Sequence, residues 1–337
     1  MDGEFRTNPS FWAGFDLAKA TFQLGRWGHE EDIRKLKVAG FYRTKKGCKE
    51  ALKLLHQEAP TGARIGIVME ATGTFAEEVG FWLLKLDPSL HIAIVNPMQT
   101  NAFIKSLGLR NKTDDLEARA LAQYGAQRKP PAWVPPSPEQ MVLRDLTRIR
   151  ADMVQARVAM AMRLKDHKRS SPVATHAMKE VIRIQSKQIK VLEAEIEAQL
   201  KGSNDLEQQA KRLASIKGVG LITAVTVLAE FGDLRRFARS RQLTAFAGLS
   251  PKLNQSGTSV HGNSPICKQG SARVRAVLYC AAACAARFNP DLAKVYRQLV
   301  ASGKHKRSAL GAVMRKLLVL MRAVLVAERN WMPIKAA

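Results

Sequence analysis

The chain has 337 residues, with 54 lysines and arginines against 29 aspartates and glutamates, so its formal net charge at pH 7 is +25. Hydrophobic residues make up 46%, which excludes wholesale disorder, and the length suggests two or three domains. No run of about 18 apolar residues predicts a membrane span, no secretory signal opens the chain, and the four cysteines form no Cys-x-x-Cys pair. We expect a protein of a reducing cytoplasm whose partner is nucleic acid rather than a membrane.

The first 128 residues alternate strand-like and helix-like segments. Apolar runs predict strands over 11–17, 20–27, 41–44, 64–71 and 91–96. Helical periodicity predicts helices over 46–58, 74–86, 97–107 and 113–127. Thr113 is the expected N-cap of the last helix. Antiparallel strands followed by alternating helix and strand indicate an α/β domain with a mixed sheet.

A proline-rich break and two long helical segments come next. Five prolines fall within 128–138, which predicts a linker, because proline disrupts both helix and central strand. Helices are expected over 139–169 and 174–201, separated by a short interruption. This arrangement predicts an antiparallel helical hairpin or coiled coil that projects from the body.

The last 125 residues hold 20 basic and only 4 acidic residues. They predict a mainly helical domain: two helices around a glycine turn over 213–232, a loop over 250–271, and helices over 272–288 and 305–329. Cys280 and Cys284 lie four residues apart on an alanine-rich helix, so we expect them in the core. So large a basic surplus favours contact with phosphates.

The glycine turn has the pattern IKGVG, with Lys217, Gly218 and Gly220 between two apolar helical segments. This pattern is similar to a helix-hairpin-helix element, in which a small turn lets backbone N–H groups approach a nucleic-acid phosphate. An ordinary helical hairpin that needs glycine for a positive φ has the same pattern.

Several carboxylates stand in unusual places in the first domain. Asp16 lies within an apolar strand and Glu70 ends another, where an unpaired buried acid would be costly. Asp114 and Glu117 are neighbours on one face of the predicted helix, whereas Asp115 points elsewhere. Clustered carboxylates are what hard Mg²⁺ ions need for phosphoryl transfer. Taken singly, each acid is better explained as a solvated charge or a helix-dipole partner.

The predicted loop contains Ser256, flanked by glutamine and glycine. Chemistry alone does not single it out, because Ser250, Ser259 and Ser264 carry the same hydroxyl. His261 lies five residues on, with no assigned acid, and a Ser–His pair is not indicated.

Five motifs in order resemble a known family. They are GFDLAKATF, VMEATG, VNPMQTNAFIKSLGLRNKTDDLEARALA, SIKGVGLITAVTVLAEFGDLRRF and LTAFAGLSPKLNQSGTS followed by ICKQGSARVRAVLY. Together they resemble the insertion-sequence transposases of the IS-one-ten type, the DEDD recombinases guided by a bridge RNA. The resemblance implies a RuvC-like, ribonuclease-H-like metal domain over 1–128, a linker and oligomerising coiled-coil hairpin over 129–205, and a transposase domain with a catalytic serine over 206–337.

The resemblance assigns roles to particular residues. The family's first three acids fall on Asp16, Glu70 and Asp114, and its fourth aspartate is replaced by Glu117, whose extra methylene could shift a metal. The catalytic serine falls on Ser256. For nucleic-acid contact we single out Lys112, Lys217, Gly218, Gly220, Arg235, Arg236, Lys268, Arg273 and Arg275.

The implied chemistry uses Mg²⁺, or Mn²⁺, and a serine that forms a 5′-phosphoserine link to DNA, which a 3′-OH then reverses. The implied partners are donor and target double-stranded DNA, a non-coding bridge RNA, and further copies of the chain in a dimer or tetramer at a prokaryotic nucleoid. Two alternatives stay open. One is a RuvC-like Holliday-junction resolvase that uses metal-activated water, and the other is a non-catalytic nucleic-acid-binding protein.

Overall fold

The computed structural model describes residues 9–27, 33–71, 73–108, 113–166, 171–252, 255–256, 260–261 and 265–333. The chain divides into two compact units, Met1–Pro135 (unit 1) and Pro136–Ala337 (unit 2). None of the described helices is long and apolar enough to cross a membrane. Each unit has its own hydrophobic core.

Unit 1 is the predicted α/β domain. Its strands are β1 (Phe11–Leu17), β2 (Thr21–Arg26), β3 (Val38–Tyr42), β4 (Ile65–Glu70) and β5 (His91–Val95). Its α-helices are α1 (Lys45–Glu58), α2 (Phe75–Leu86), α3 (Pro97–Ser106) and α4 (Asp114–Arg128). The third strand lies over 38–42 rather than the expected 41–44. Thr113 is confirmed as the N-cap of α4, since its hydroxyl accepts a hydrogen bond from the Leu116 N–H.

The five strands form one mixed sheet in the order β3-β2-β1-β4-β5. Strand β2 is antiparallel to both of its neighbours, β1 and β3, whereas β1, β4 and β5 run parallel. Phe15 lies opposite Leu24 on one side and Met69 on the other. The sequence-based prediction of a mixed sheet is therefore confirmed.

The two faces of the sheet pack differently. On one face, side chains such as Phe15 and Ile67 are fully buried in a cluster with residues of α1 and α2. On the other face the backbone of α4 lies directly on the sheet, because β1 and β2 carry Gly14 and Gly25 there. A Cβ at Gly14 would lie 2.2 Å from the Ala118 carbonyl oxygen, and one at Gly25 2.4 Å from that same oxygen. These two glycines set how closely α4 approaches β1.

Unit 2 is helical. It comprises α5 (Pro138–Asp166), α6 (Pro172–Lys201), α7 (Asn204–Ala214), α8 (Leu221–Phe231), α9 (Ser240–Phe246), α10 (Ala272–Phe288), α11 (Pro290–Ala301) and α12 (Lys306–Val326). The first two form the predicted hairpin, and Arg150 and Glu193 join them in an ion pair of 2.6 Å. Gln140 of α5 donates to the Leu228 and Ala229 carbonyls, so the hairpin base packs within the same unit as the C-terminal helices.

Two expectations for unit 2 were wrong, and two of its helices, α9 and α11, were not predicted. The segment 250–271 is not simply loop, since Ser256 pairs with Val260 in a short antiparallel ladder and Pro251 bridges to Ile266. Cys280 and Cys284 are exposed, because the core face of α10 carries Leu278 and alanines instead.

Candidate functional site

The carboxyl ends of β1 and β4 bring two predicted acids to the same edge of the sheet. Phe15 is paired with Met69 in the parallel ladder, so Asp16 and Glu70 follow side by side. Side chains alternate along a strand, and Gly14 faces α4. Asp16 therefore lies on the α4 face, and both acids are half-buried.

The first turn of α4 reaches this edge and completes an acidic cluster. One carboxylate oxygen from each of Asp16, Asp114 and Glu117 lies within 4.8 Å of the others. Asp114 is exposed, and the other two are half-buried. Asp115 is exposed and lies outside the cluster. Three convergent carboxylates form a donor set suited to a hard divalent cation.

Glu70 is not part of that three-carboxylate group. Its side chain is hydrogen-bonded to the hydroxyl of Thr100, a buried residue in the first turn of α3. Asn96 caps this helix by accepting from the Met98 N–H, which fixes where Thr100 stands. We did not predict Thr100, and only its position in the NPMQT motif at a helix start could have indicated it.

A second residue that the sequence did not indicate is Arg43. Its guanidinium donates to the carbonyls of Ala18 and Lys19 in the turn after β1, and the Lys19 bond is 2.7 Å long. It also pairs with Glu78 and lies 4.1 Å above the ring of Phe75, both on α2. Arg43 thus joins the turn that follows β1 to α2, the helix that follows β4.

Three arginines predicted to contact nucleic acid are engaged within unit 2. Arg235 is close to three carboxylates, those of Asp233, Glu328 and Asp205. Arg273 pairs with Asp152 of α5 at 2.6 Å. Arg275 donates to the Gly270 carbonyl, also at 2.6 Å. Arg235 and Arg273 are therefore paired with carboxylates of the same unit, whereas Arg275 is held by a backbone carbonyl.

The glycine turn has a packing role. Gly218 has a φ of 103°, and a Cβ there would lie 2.7 Å from the Cβ of Ala285 on α10. Gly220 is exposed and forms the N-cap of α8, with open space around it. Lys217 is exposed, and its carbonyl accepts a hydrogen bond from the Asn289 side chain.

The remaining predicted contacts are less constrained. Lys268 is exposed with a φ of 58°, and Arg236 lies 4.9 Å from the centre of the Phe237 ring. Lys112, Ser259 and Ser264 lie outside the described residues. For Ser256 the structure describes the backbone position in its short ladder.

Comparison with known proteins identifies the family. A family model of DEDD transposases of the IS110 type, described as Transposase, matches residues 13–169 and so spans all four predicted acids. The Transposase IS116/IS110/IS902 family model matches residues 210–297, which include Ser256. A pilin gene-inverting protein of Moraxella bovis is 30% identical over 320 residues, covering 94% of this chain and 96% of the relative. The chain belongs to the IS110 family of transposases.

Other relatives agree with this assignment. The transposase for insertion sequence element IS1111A of Coxiella burnetii is 27% identical, covering 79% of this chain and 75% of the relative. A probable family 20 transposase of Pseudomonas aeruginosa is 26% identical, covering 79% and 81%. The resemblance drawn from the five motifs is confirmed, and the chain is an enzyme of the DNA transposase and recombinase class.

Proposed function

We propose that this transposase cuts and rejoins DNA strands with Ser256 as the nucleophile and the acidic cluster as its metal site. The observation that carries the proposal is the convergence of Asp16, Asp114 and Glu117 at the end of β1. The fold supports it as well, since the strand order and directions suit the ribonuclease-H-like domain that the family implies. In this reading Glu117 takes the place of the family's fourth aspartate.

The cluster fits Mg²⁺ or Mn²⁺, because all of its donors are carboxylate oxygens and it is partly open to solvent. When bound, such an ion supplies Lewis-acid polarisation of a phosphate oxygen. Glu70 is assigned to the same edge of the sheet, where Thr100 holds its side chain. In this proposal the Glu70 carboxylate adds to the negative electrostatic potential of the three-carboxylate cluster.

The covalent step balances without an external energy source. The Ser256 oxygen forms a bond to phosphorus, the bond from phosphorus to the 3′ oxygen breaks, and the serine proton ends on the released 3′-OH. A 5′-phosphoserine link remains. Attack by the 3′-OH of the exchanged strand reverses these changes and restores the serine. Two relatives are named pilin gene-inverting proteins, so we include inversion of a DNA segment among the reactions.

We propose further that a non-coding guide RNA chooses the DNA sequences, and that the protein acts as a dimer or tetramer at the bacterial nucleoid. The three parts 1–128, 129–205 and 206–337 then serve metal binding, assembly and serine delivery. The hairpin supports an assembly role because large apolar side chains on it are exposed, among them Met162 (61%) and Val191 (53%). Sequencing the RNA that co-purifies with the protein tests the guide.

The deciding experiment is to trap a covalent protein–DNA adduct on a cleaved substrate. Ser256→Ala should abolish the adduct, whereas Ser250→Ala, in the same region, should keep it. Asp16→Asn should lower cleavage at least about 100-fold, because a metal ligand supplies several kcal/mol of charge stabilisation. Asp115→Asn is the matched control on the same helical turn and should cleave normally.

The two alternative functions are outcomes of this experiment. Cleavage by Ser256→Ala at the normal rate, without an adduct, would indicate a resolvase that uses water. Tight nucleic-acid binding without cleavage at any Mg²⁺ concentration would indicate a non-catalytic binding protein. Either outcome contradicts the proposal.

A further inference from the structure

A large groove runs along one face of α12 in unit 2. Its volume is about 1980 Å³. It is bordered by the start of α11, by Ala327 and residues 329–333 after α12, and by Pro251 and Ile266. The last two form the β-bridge at the base of the segment that contains Ser256. We call this feature the α12 groove.

The α12 groove is strongly basic. Its lining includes one acid, Asp291, and the six basic residues Lys294, Lys304, Arg307, Arg315, Lys316 and Arg329. Within the part of the chain that the structure describes, none of these six side chains forms an ion pair or a hydrogen bond with a carboxylate. This distinguishes them from Arg235 and Arg273, whose charges are balanced internally.

The imbalance follows from where the few acids of the C-terminal segment lie. Glu230 is held by Arg148 at 2.6 Å. Asp233 and Glu328 both pair with Arg235. Asp291 is therefore the one acid after residue 213 that lines the groove. So concentrated a positive charge attracts a polyanion.

The groove is also apolar over part of its length. The α12 face that lines it carries Arg307 and Arg315 in its first half and Val319 and Leu320 in its second. The row from Arg307 to Arg315 is about 12 Å long at the rise of a helix. Trp331 contributes an aromatic ring to the lining, and its backbone N–H is anchored to the Ser215 hydroxyl at 2.8 Å.

This combination discriminates between forms of nucleic acid. A duplex keeps its bases stacked inside, so its bases would not reach the apolar and aromatic surface of the groove. An unpaired strand presents phosphates to cations and bases to apolar and aromatic side chains. We propose that the α12 groove binds a single DNA strand, next to the segment that carries Ser256. The choice of DNA rests on the proposed function, whereas the single-strand preference rests on the groove itself.

The first test measures binding of a fluorescent oligothymidylate to the full chain at several salt concentrations. The groove variant is Arg315→Gln with Lys316→Gln. The matched control is Arg297→Gln with Lys190→Gln, which removes the same charge at exposed positions of unit 2 outside the groove. Each phosphate contact contributes about 0.7 to the salt slope for single strands. The groove variant should therefore lower the slope by about 1.4 and weaken binding about tenfold near physiological salt, while the control changes affinity less than about twofold.

The second test locates the bases. An oligonucleotide containing 5-iododeoxyuridine is irradiated on the protein, and the adduct is mapped by mass spectrometry. Cross-links to Trp331 or to Tyr279, the exposed tyrosine of the lining, support the proposal. Cross-links confined to residues outside the groove overturn it.

Other outcomes also overturn it. One is an equal loss of oligothymidylate affinity in the groove variant and the control. Another is a loss of affinity for duplex DNA or single-stranded RNA but not for oligothymidylate. A third is a change in the mass of the assembly without a change in DNA affinity. The last result would mean that a second copy of the chain occupies the groove. The Ser256 adduct is scored in parallel on the unaltered protein. If the unaltered protein forms the adduct but the groove variant binds oligothymidylate normally, only the groove proposal is refuted. If the groove variant loses binding but the unaltered protein forms no adduct, only the assignment of Ser256 as the nucleophile is refuted.

Discussion

The two units concentrate charge of opposite sign. In unit 1, Asp16, Asp114 and Glu117 bring carboxylate oxygens within 4.8 Å of one another. In unit 2, six cations line one groove without a carboxylate partner among the described residues. Bringing like charges together costs free energy that a counter-charge recovers. In the two proposals each unit binds a ligand of the opposite charge, a divalent cation in unit 1 and a polyanion in unit 2.

The units also position their charges in different ways. Unit 1 relies on one close contact, because Gly14 and Gly25 let α4 lie on the sheet. Unit 2 relies on pairing the few acids of its C-terminal segment with arginines outside the groove, as in the Arg148–Glu230 pair. Substitutions at these points should therefore affect one unit and spare the other.

The largest effect is expected from Gly14→Val. Its Cβ would meet the backbone oxygen of Ala118, which cannot move without displacing α4. We expect unit 1 to lose about 3 kcal/mol of unfolding free energy, since overpacking against backbone is poorly relieved. Hydrogen exchange followed by mass spectrometry, peptide by peptide, measures the loss in each unit.

The control for this change is Gly311→Ala. Gly311 lies within α12 with nothing within 4 Å of an added Cβ, so the substitution should be neutral or stabilising by up to about 1 kcal/mol. Exchange protection of unit 1 that survives Gly14→Val would contradict the role assigned to the close contact.

The next effect is expected from Glu230→Gln in unit 2. The Glu230 side chain is 7% exposed and accepts hydrogen bonds from Arg148 and Ser271, which joins α8 to α5 and to the start of α10. Loss of the charged hydrogen bonds should cost unit 2 about 2 kcal/mol in denaturant unfolding. Glu180→Gln, in an exposed pair with Arg183, should leave the unfolding midpoint unchanged. If Glu230→Gln also lowered Mg²⁺ affinity by a comparable free energy, a substitution in unit 2 would be shown to affect the metal site of unit 1.

A smaller effect is expected from Arg43→Lys in unit 1. Lysine keeps the charge but cannot reach the two carbonyls and Glu78 in one planar arrangement. The strand ends that carry Asp16 and Glu70 should shift, and cleavage should fall about tenfold, since small misplacements of reacting groups are costly. The Mg²⁺ concentration at half-saturation (the Mg²⁺ midpoint), measured by direct titration, should rise in parallel.

Arg64→Lys is the matched control, because Arg64 bonds to the Ser89 carbonyl beside the opposite end of β4. It should change neither cleavage nor the Mg²⁺ midpoint. If Arg43→Lys lowered the melting temperature without changing the Mg²⁺ midpoint, Arg43 would stabilise the fold without positioning the metal site.

Much of unit 1 could be predicted from the sequence. Apolar runs located the strands, and Thr113 located the start of α4 because an N-cap has a local chemical signature. The proximity of the acids could be predicted only in part. Asp114 and Glu117 share a helix face by spacing, but their distance to Asp16 depends on Gly14 and Gly25, which lie on different strands.

Other features escaped prediction because they depend on tertiary contacts or on weak local signals. The Glu70 side chain bonds to Thr100, thirty residues away, and the NPMQT motif that contains Thr100 does not show which strand its hydroxyl contacts. The seven-residue α9 is too short to show periodicity. No helix was predicted between 288 and 305, although Pro290 is at the first position of α11, where proline is favoured.

The smallest effect is a loss of stability at alkaline pH, which is expected from a cysteine of unit 1 and not from the exposed cysteines of unit 2. Burial raises the pKa of the Cys48 thiol in unit 1 from about 9.0 to about 11, whereas Cys280 and Cys284 in unit 2 are exposed. The unfolded chain therefore loses the Cys48 proton first as pH rises. The stability that this thiol contributes is complete below pH 9 and is lost between pH 9 and 11, on the order of 1–2 kcal/mol.

Denaturant unfolding of the protein and of Cys48→Ala at several pH values isolates this component, because the other titrating groups are common to both. Iodoacetamide gives an independent measurement at neutral pH. Cys280 and Cys284 should be alkylated in the folded protein, and Cys48 only at the rate at which unit 1 opens. Equal alkylation rates at all three thiols would mean that the core of unit 1 is far less closed than its packing around Gly14 and α4 requires.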